Sequence, residues 1–347
     1  MKPLEELLRP NILNLKPYSS ARDEYTGDSG IFLDANESPF NYPYNRYPDP
    51  YQRKLKQVIG KVKSVEPDHI FLGNGSDEAI DLLFRAFCRP GIDNVVAIDP
   101  TYGMYSVAAA TNDTPVKSVL LNEDFSLSAE AVLAAADNNT KLIWLCSPNN
   151  PTGNCFDNAA IEKIVRDFAG IVVFDEAYTD FAPGTSFLPR LGEYPNLVIL
   201  QTFSKAWGMA GIRLGMAFAR PEIIRVLSRI KYPYNLNILT QKKALELIES
   251  NKDRVKFWVE QLITERGRLA EFLLTLPFVK KVFPSDANFL LVSTDDPKGI
   301  YNHLIDKEII VRDRSSVTLC EGCLRITVGT HDENVSLAEA LKKFRKI

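Results

Sequence analysis

Between residues 69 and 219 the chain repeats one pattern: a short apolar run, a turn rich in Gly, Pro, Asn or Ser, then apolar residues at helical spacing. The runs at 69–72, 95–98, 116–121, 141–146, 171–174, 197–201 and 215–219 are rich in Val, Ile and Leu and apolar almost throughout. Runs of that kind suit strands covered on both faces. Strands alternating with helical patterns predict a mostly parallel, seven-stranded sheet in an α/β domain. From about 238 to 276 the pattern becomes charged and long-helical, with a linking character. Strands near 279–283, 288–292, 308–311 and 323–328, and a last helix from Glu333, then predict a smaller α+β domain. Residues 1–30 are polar and irregular, with Pro3, Pro10 and Pro17 interrupting any helix, and read as an arm that packs on something else.

Composition narrows the picture by exclusion. The 347 residues are enough for two domains, and 45% apolar residues can fill their cores. A net charge of −3 gives no electrostatic reason to expect nucleic acid or an anionic membrane. No apolar run approaches the length that spans a bilayer. Met1 to Pro17 contains Glu5, Glu6 and Arg9, unlike a secretory signal, so a cytoplasmic protein is expected. Five cysteines form an odd set, which fits free thiols in a reducing compartment. Cys320 and Cys323 make a C-x-x-C without a second pair, and His69, His303 and His331 are scattered, so no metal site is expected.

The turns that follow the strands carry the candidate chemistry. In Thr202-Phe203-Ser204-Lys205 a lysine sits in a hydroxyl-rich turn, with Arg213 eight residues on and small residues between. That arrangement suits a lysine holding an aldehyde cofactor covalently, while a hydroxyl and the arginine hold the cofactor's phosphate. Which of Thr202 and Ser204 makes that contact is open at this level. Asp175 ends the strand at 171–174, where a carboxylate can pair with a pyridinium nitrogen; capping the next helix is the competing reading. Tyr178, three residues on, and the Asn150 amide, fixed in Ser147-Pro148-Asn149-Asn150-Pro151-Thr152-Gly153, are placed to reach a phenolic oxygen. The Asn150-Pro151 bond is a plausible cis peptide. Gly73-Asn74-Gly75-Ser76-Asp77 joins a strand to a helix start, a recipe for an anion site built on the N–H groups of Gly75, Ser76 and Asp77. It is not a dinucleotide fingerprint, because Glu78 occupies the third glycine position. Tyr102, after the strand at 95–98, can lie flat on a cofactor ring.

The order of these segments over nearly the whole chain resembles the fold type I pyridoxal-phosphate-dependent aminotransferases. Within them it resembles the histidinol-phosphate aminotransferases, on five further segments: Lys16 to Arg22, Leu33-Asp34-Ala35-Asn36-Glu37, Asn45 to Pro50, Pro100 to Tyr105, and Cys323 to Gly329. The resemblance implies pyridoxal 5'-phosphate as cofactor and exchange of an amino group between histidinol phosphate and 2-oxoglutarate, with glutamate and imidazole acetol phosphate as the other pair, in histidine biosynthesis. Lys205 then holds the cofactor and moves the proton, with Asp175 and Tyr178 beside it. Arg325 takes the anionic end of either substrate, with Arg312 as second cation and Tyr18 and Asn36 as polar contacts at the pocket mouth. Tyr47 is expected to reach the phosphate of a partner subunit, which makes the working unit a homodimer. The domains implied are an arm over 1–40 packing with the small domain, a large cofactor domain over 41–240 and a small domain over 241–347. An aromatic-amino-acid aminotransferase or an amino-acid-phosphate decarboxylase of the same fold is the alternative reading.

Overall fold

The computed structural model describes residues 2–16 and 30–344. Seven strands form one sheet: β1 (Ile70–Asn74), β2 (Asn94–Asp99), β3 (Val116–Leu120), β4 (Thr140–Cys146), β5 (Ile171–Asp175), β6 (Leu197–Thr202) and β7 (Leu214–Phe218). Their order across the sheet is β1-β7-β6-β5-β4-β2-β3, and β7 alone runs antiparallel to its neighbours. The central strands are apolar on both faces because both faces are covered. Ile143, Val172 and Ile199 pack into one core, and Leu142, Val173 and Val198 into the other. Every strand predicted in this region is present, with ends shifted by at most two residues.

A four-stranded sheet follows, ordered β10-β11-β9-β8, from β8 (Val279–Val282), β9 (Phe289–Thr294), β10 (Arg312–Asp313) and β11 (Cys323–Thr327). The strand expected at 308–311 lies later, at 312–313. Glu308 takes a left-handed φ of 60° and Ile310 is exposed, so pairing with β11 begins only at Arg312. The last helix, His331–Lys343, begins two residues before Glu333, because Glu333 is the third helical residue and closes a capping box with Thr330, which caps the helix. The helical stretch expected over 238–276 is two helices, Ile238–Asn251 and Val255–Leu274.

The amino-terminal residues depart most from expectation. Residues 4–7 and 10–13 form single helical turns, and Leu7, Leu8 and Ile12 are buried in the core that includes Leu83, Phe87 and Leu227. The Arg9 N–H donates to the Ala86 carbonyl and the Lys2 N–H to that of Ala169. This first segment therefore packs on the helices flanking the seven-stranded sheet, not with the small domain. Its prolines break helices, but Leu7, Leu8 and Ile12 supply apolar anchors that the polar composition obscures.

Candidate active site

Parallel strands bring their C-terminal ends to one edge of a sheet, and loops leaving that edge form a crevice. Here the turns after β1, β2, β4, β5 and β6 all open on that edge. Arg213 differs, since it precedes β7 instead of following a strand. Because β7 is antiparallel, its start lies at the same edge, so Arg213 arrives there from the opposite chain direction. The turns enclose a cavity of about 350 Å³ whose far wall is built by β10 and β11. Cavities of that size suit a small cofactor and its substrate.

One end of the cavity is a glycine turn leading into a helix start, an arrangement that can cradle an anion. Gly75, with a φ of 70°, caps the helix Ser76–Phe87, and its N–H donates to the Arg213 carbonyl at 2.8 Å. Arg213 itself has a left-handed φ of 56°, and its guanidinium lies 3.5 Å from the Asp77 carboxylate. Gly215 lets these two segments meet. A Cβ there would stand 2.1 Å from the Ser76 nitrogen and 2.2 Å from the Gly75 carbonyl carbon. The two hydroxyls left open by the sequence now separate. Thr202 Oγ1 is occupied, donating to the Leu214 carbonyl and accepting from the Ser204 N–H. Ser204 Oγ is buried on the cavity wall with no hydrogen-bond partner among the described residues. A buried hydroxyl without a partner is costly unless something else satisfies it.

Asp175 forms the floor. It is 2% exposed, accepts from the Tyr105 hydroxyl at 2.7 Å and from the Ala177 N–H at 3.0 Å, and has no cation in contact among the described residues. Burial pushes its carboxyl up to about 6, although the two hydrogen bonds pull the other way. Lys205 extends into the open cavity with Nζ 5.6 Å from the centre of the Tyr178 ring. Its pKa is lowered, first by partial burial and then by the Arg325 charge. The Tyr178 ring is buried edge-on against Phe289, and burial raises its hydroxyl well above the usual value. Tyr102 donates to Asp77 at 3.2 Å and stands edge-on to Tyr105. The Asn150-Pro151 bond is cis. Asn150 is buried, and its side-chain oxygen accepts from Arg325 across the gap between the two sheets, which leaves its amide N–H groups to donate into the cavity.

The small sheet contributes cations. Arg312 and Arg325 are directly opposite in the β10–β11 pair, so both side chains leave the same face. Arg325 lies over the Phe289 ring at 5.3 Å, and burial lowers its pKa.

Thirteen of the residues singled out from sequence therefore line one cavity: Gly75, Ser76, Asp77, Tyr102, Asn150, Asp175, Tyr178, Thr202, Ser204, Lys205, Arg213, Arg312 and Arg325. Tyr47 and Asn36 do not line it within one protomer. Tyr47 is half exposed and stacks on Tyr234 at 4.3 Å, and Asn36 is exposed with a φ of 54°. Tyr18 lies outside the described residues. Sequence reasoning missed Tyr105, which holds Asp175, and Arg314, which also lines the cavity. Tyr105 stood in a matched segment but carried no role, and burial was not readable there. Arg314 was readable: two residues beyond Arg312 along an extended chain, it faces the same side.

The family model for aminotransferases of class I and II matches residues 23–341. A curated histidinol-phosphate aminotransferase of Bacteroides fragilis is 60% identical over 346 residues, covering 99% of this chain and all of that protein. The crystal structure of the histidinol-phosphate aminotransferase from Clostridium acetobutylicum superposes with a TM-score of 0.78 at 25% identity, covering 86% of this chain and 90% of that one. That from Sinorhizobium meliloti, solved in complex with pyridoxal-5'-phosphate, has the same fold, with a TM-score of 0.78 at 23% identity over 86% of this chain and 83% of that one. The chain belongs to the class I and II aminotransferases, a pyridoxal-phosphate-dependent family.

Proposed function

We propose that the cavity holds pyridoxal 5'-phosphate on Lys205 and transfers an amino group between histidinol phosphate and 2-oxoglutarate, yielding imidazole acetol phosphate and glutamate, in histidine biosynthesis. The observation that carries the reading is the convergence, around one cavity, of Lys205, a buried Asp175 without a cation and an unpartnered Ser204 hydroxyl. The chemistry of these donors fits the cofactor. Ser204, Arg213 and the N–H groups of Ser76 and Asp77 hold its phosphate, with Thr202 orienting the Ser204 backbone; the Gly75 N–H expected to join them is instead taken by the Arg213 carbonyl. Asp175 faces its ring nitrogen, where the opposite charge keeps that nitrogen protonated and lowers the carboxyl again. Tyr178 and the Asn150 amide donate to its phenolic oxygen, and Tyr102 covers one face of the ring.

Bound there, the cofactor supplies the aldehyde that takes up the amino group and the ring that spreads the electrons left when the substrate carbon loses its proton. Lys205 Nζ, as a free amine beside the reacting carbon, would take the proton from that carbon as general base and give it back as general acid. A lowered pKa raises the fraction of neutral amine available for this work. Arg325, held by Asn150, binds the anionic group next to the reacting carbon. A guanidinium fork accepts a phosphate or a carboxylate, which allows one residue to serve both half-reactions.

The working unit in this reading is a homodimer in the cytoplasm. Tyr47 lies off the cavity of its own chain, and the two loops that carry the Tyr47–Tyr234 stack also expose Phe40, Tyr42 and Tyr232. Such exposed aromatic surface suits a second copy. All five cysteines are free, as suits a reducing compartment. Among the described residues no helix is long and apolar enough to cross a membrane. Single-turnover spectra test the substrate assignment. Histidinol phosphate should convert the bound aldehyde form to the amine form at concentrations where tyrosine and phenylalanine do not. Conversion by the aromatic amino acids alone, or loss of carbon dioxide from an amino-acid phosphate, would replace this reading with one of its neighbours.

A further inference from the structure

The small-sheet wall of the cavity holds more positive charge than one carboxylate can use. Arg312 and Arg325 face the cavity from opposite strands, and Arg314 joins them from two residues further along. The Arg314 N–H donates to the Cys323 carbonyl at 2.9 Å, which continues the strand pairing past β10 and fixes the direction of its side chain. Its Nε is buried and has no hydrogen-bond partner among the described residues. The groups acting most strongly on its charge are Arg325, Arg312, Cys320 and Tyr178; none is a carboxylate. Burial comes first among the causes that lower its pKa, and its two arginine neighbours come next. A half-buried guanidinium with an unsatisfied donor and two like charges beside it costs stability unless an anion is shared among them. A phosphate monoester brings close to two negative charges at neutral pH and three strong acceptor oxygens, whereas a carboxylate brings one charge and two oxygens.

We propose that Arg314 is a ligand for the substrate's phosphate and sets the preference of this cavity for a phosphorylated amine over the same amine without phosphate. The proposal rests on the reading above that the cavity takes a phosphate-bearing substrate. Arg325 binds the anionic group in either half-reaction, and Arg314 adds the contact that only the phosphate oxygens reach.

The test compares histidinol phosphate with histidinol on cofactor-loaded wild type, Arg314→Gln and Arg314→Lys, each titrated spectrally. Charge-assisted hydrogen bonds of this kind correspond to about tenfold to a hundredfold in affinity. Arg314→Gln should therefore bind histidinol phosphate weaker by that factor while histidinol changes little, so the preference narrows. Arg314→Lys, which keeps the charge and most of the stem, should fall between, and it carries the test alone if the Gln variant does not fold. Equal losses for both ligands would make Arg314 a support for the strand, and an unchanged preference would remove it from the site; either outcome overturns the proposal. Wild type that binds histidinol phosphate no better than histidinol would instead overturn the reading of the cavity, and the proposal with it.

Discussion

Replacing Asp175 with Asn should stabilise the cofactor-free protein at neutral pH while disabling the enzyme. In the chain alone the carboxyl titrates at about 6, against an ordinary value of 3.8, and burial is the leading cause. Because the folded-state value is raised, the native protein binds this proton more tightly than the unfolded chain does between those two pH values. Stability is therefore greatest below the lower value, declines as pH rises through the window, and is flat above it. The gap corresponds to about 3 kcal/mol of destabilisation at pH 7.5 and about 1 kcal/mol at pH 4.5. Asn does not titrate, so the stability of the variant relative to wild type should grow by about 2 kcal/mol between pH 4.5 and pH 7.5. A fixed penalty for disturbing the bonds from Tyr105 and Ala177 shifts both ends alike and leaves that difference intact. Glu176, pushed up to about 7 by its own burial, titrates in both proteins and cancels. Urea unfolding of the cofactor-free forms at the two pH values is the assay. With cofactor bound the order should invert, because the pyridinium supplies the charge Asp175 lacks. A stability difference that stays constant with pH, or widens toward acid, would refute the electrostatic account of Asp175.

Gly215→Ala should weaken pyridoxal-phosphate binding and lower the unfolding midpoint. The added carbon meets backbone of the Gly75–Ser76 turn, which no rotamer relieves, and overpacking of this kind costs about 1–3 kcal/mol or more; cofactor affinity equal to wild type would show that the turn yields freely. Mixing Lys205→Ala with Tyr47→Ala chains, each nearly inactive alone, should recover up to about a quarter of wild-type activity if Tyr47 serves the partner's site, because half of randomly exchanged dimers then contain one intact site. No recovery would return Tyr47 to its own subunit.

The sheet was legible because its strands are buried on both faces, so unbroken runs such as those within Thr140–Cys146 and Ile171–Asp175 admit few other placements. Eleven of the thirteen residues singled out from sequence that share the cavity do so for a related reason: segments at the same edge of a sheet must meet, whereas Arg312 and Arg325 arrive from the small sheet. Three features were not legible. The anchoring of Leu7, Leu8 and Ile12 depends on surfaces made by distant helices. The strand at Arg312–Asp313 is too short for any period to reveal, and its neighbour Ile310 is apolar yet exposed. The choice between Thr202 and Ser204 turns on which hydroxyl the backbone already occupies, which composition does not record.

The central claim is that Lys205 is the residue holding the cofactor at this cavity, and chemical trapping addresses it most directly. Borohydride reduction of the pyridoxal-phosphate-loaded protein fixes the link between lysine and cofactor, and peptide mapping locates it. The account predicts a single pyridoxyl group on Lys205. It also predicts that Lys205→Ala remains folded and retains cofactor through Asp175, Arg213 and Ser204, but lacks the absorbance of the lysine-linked form. A pyridoxyl group on any other lysine, or full linked-form absorbance in Lys205→Ala, would contradict it.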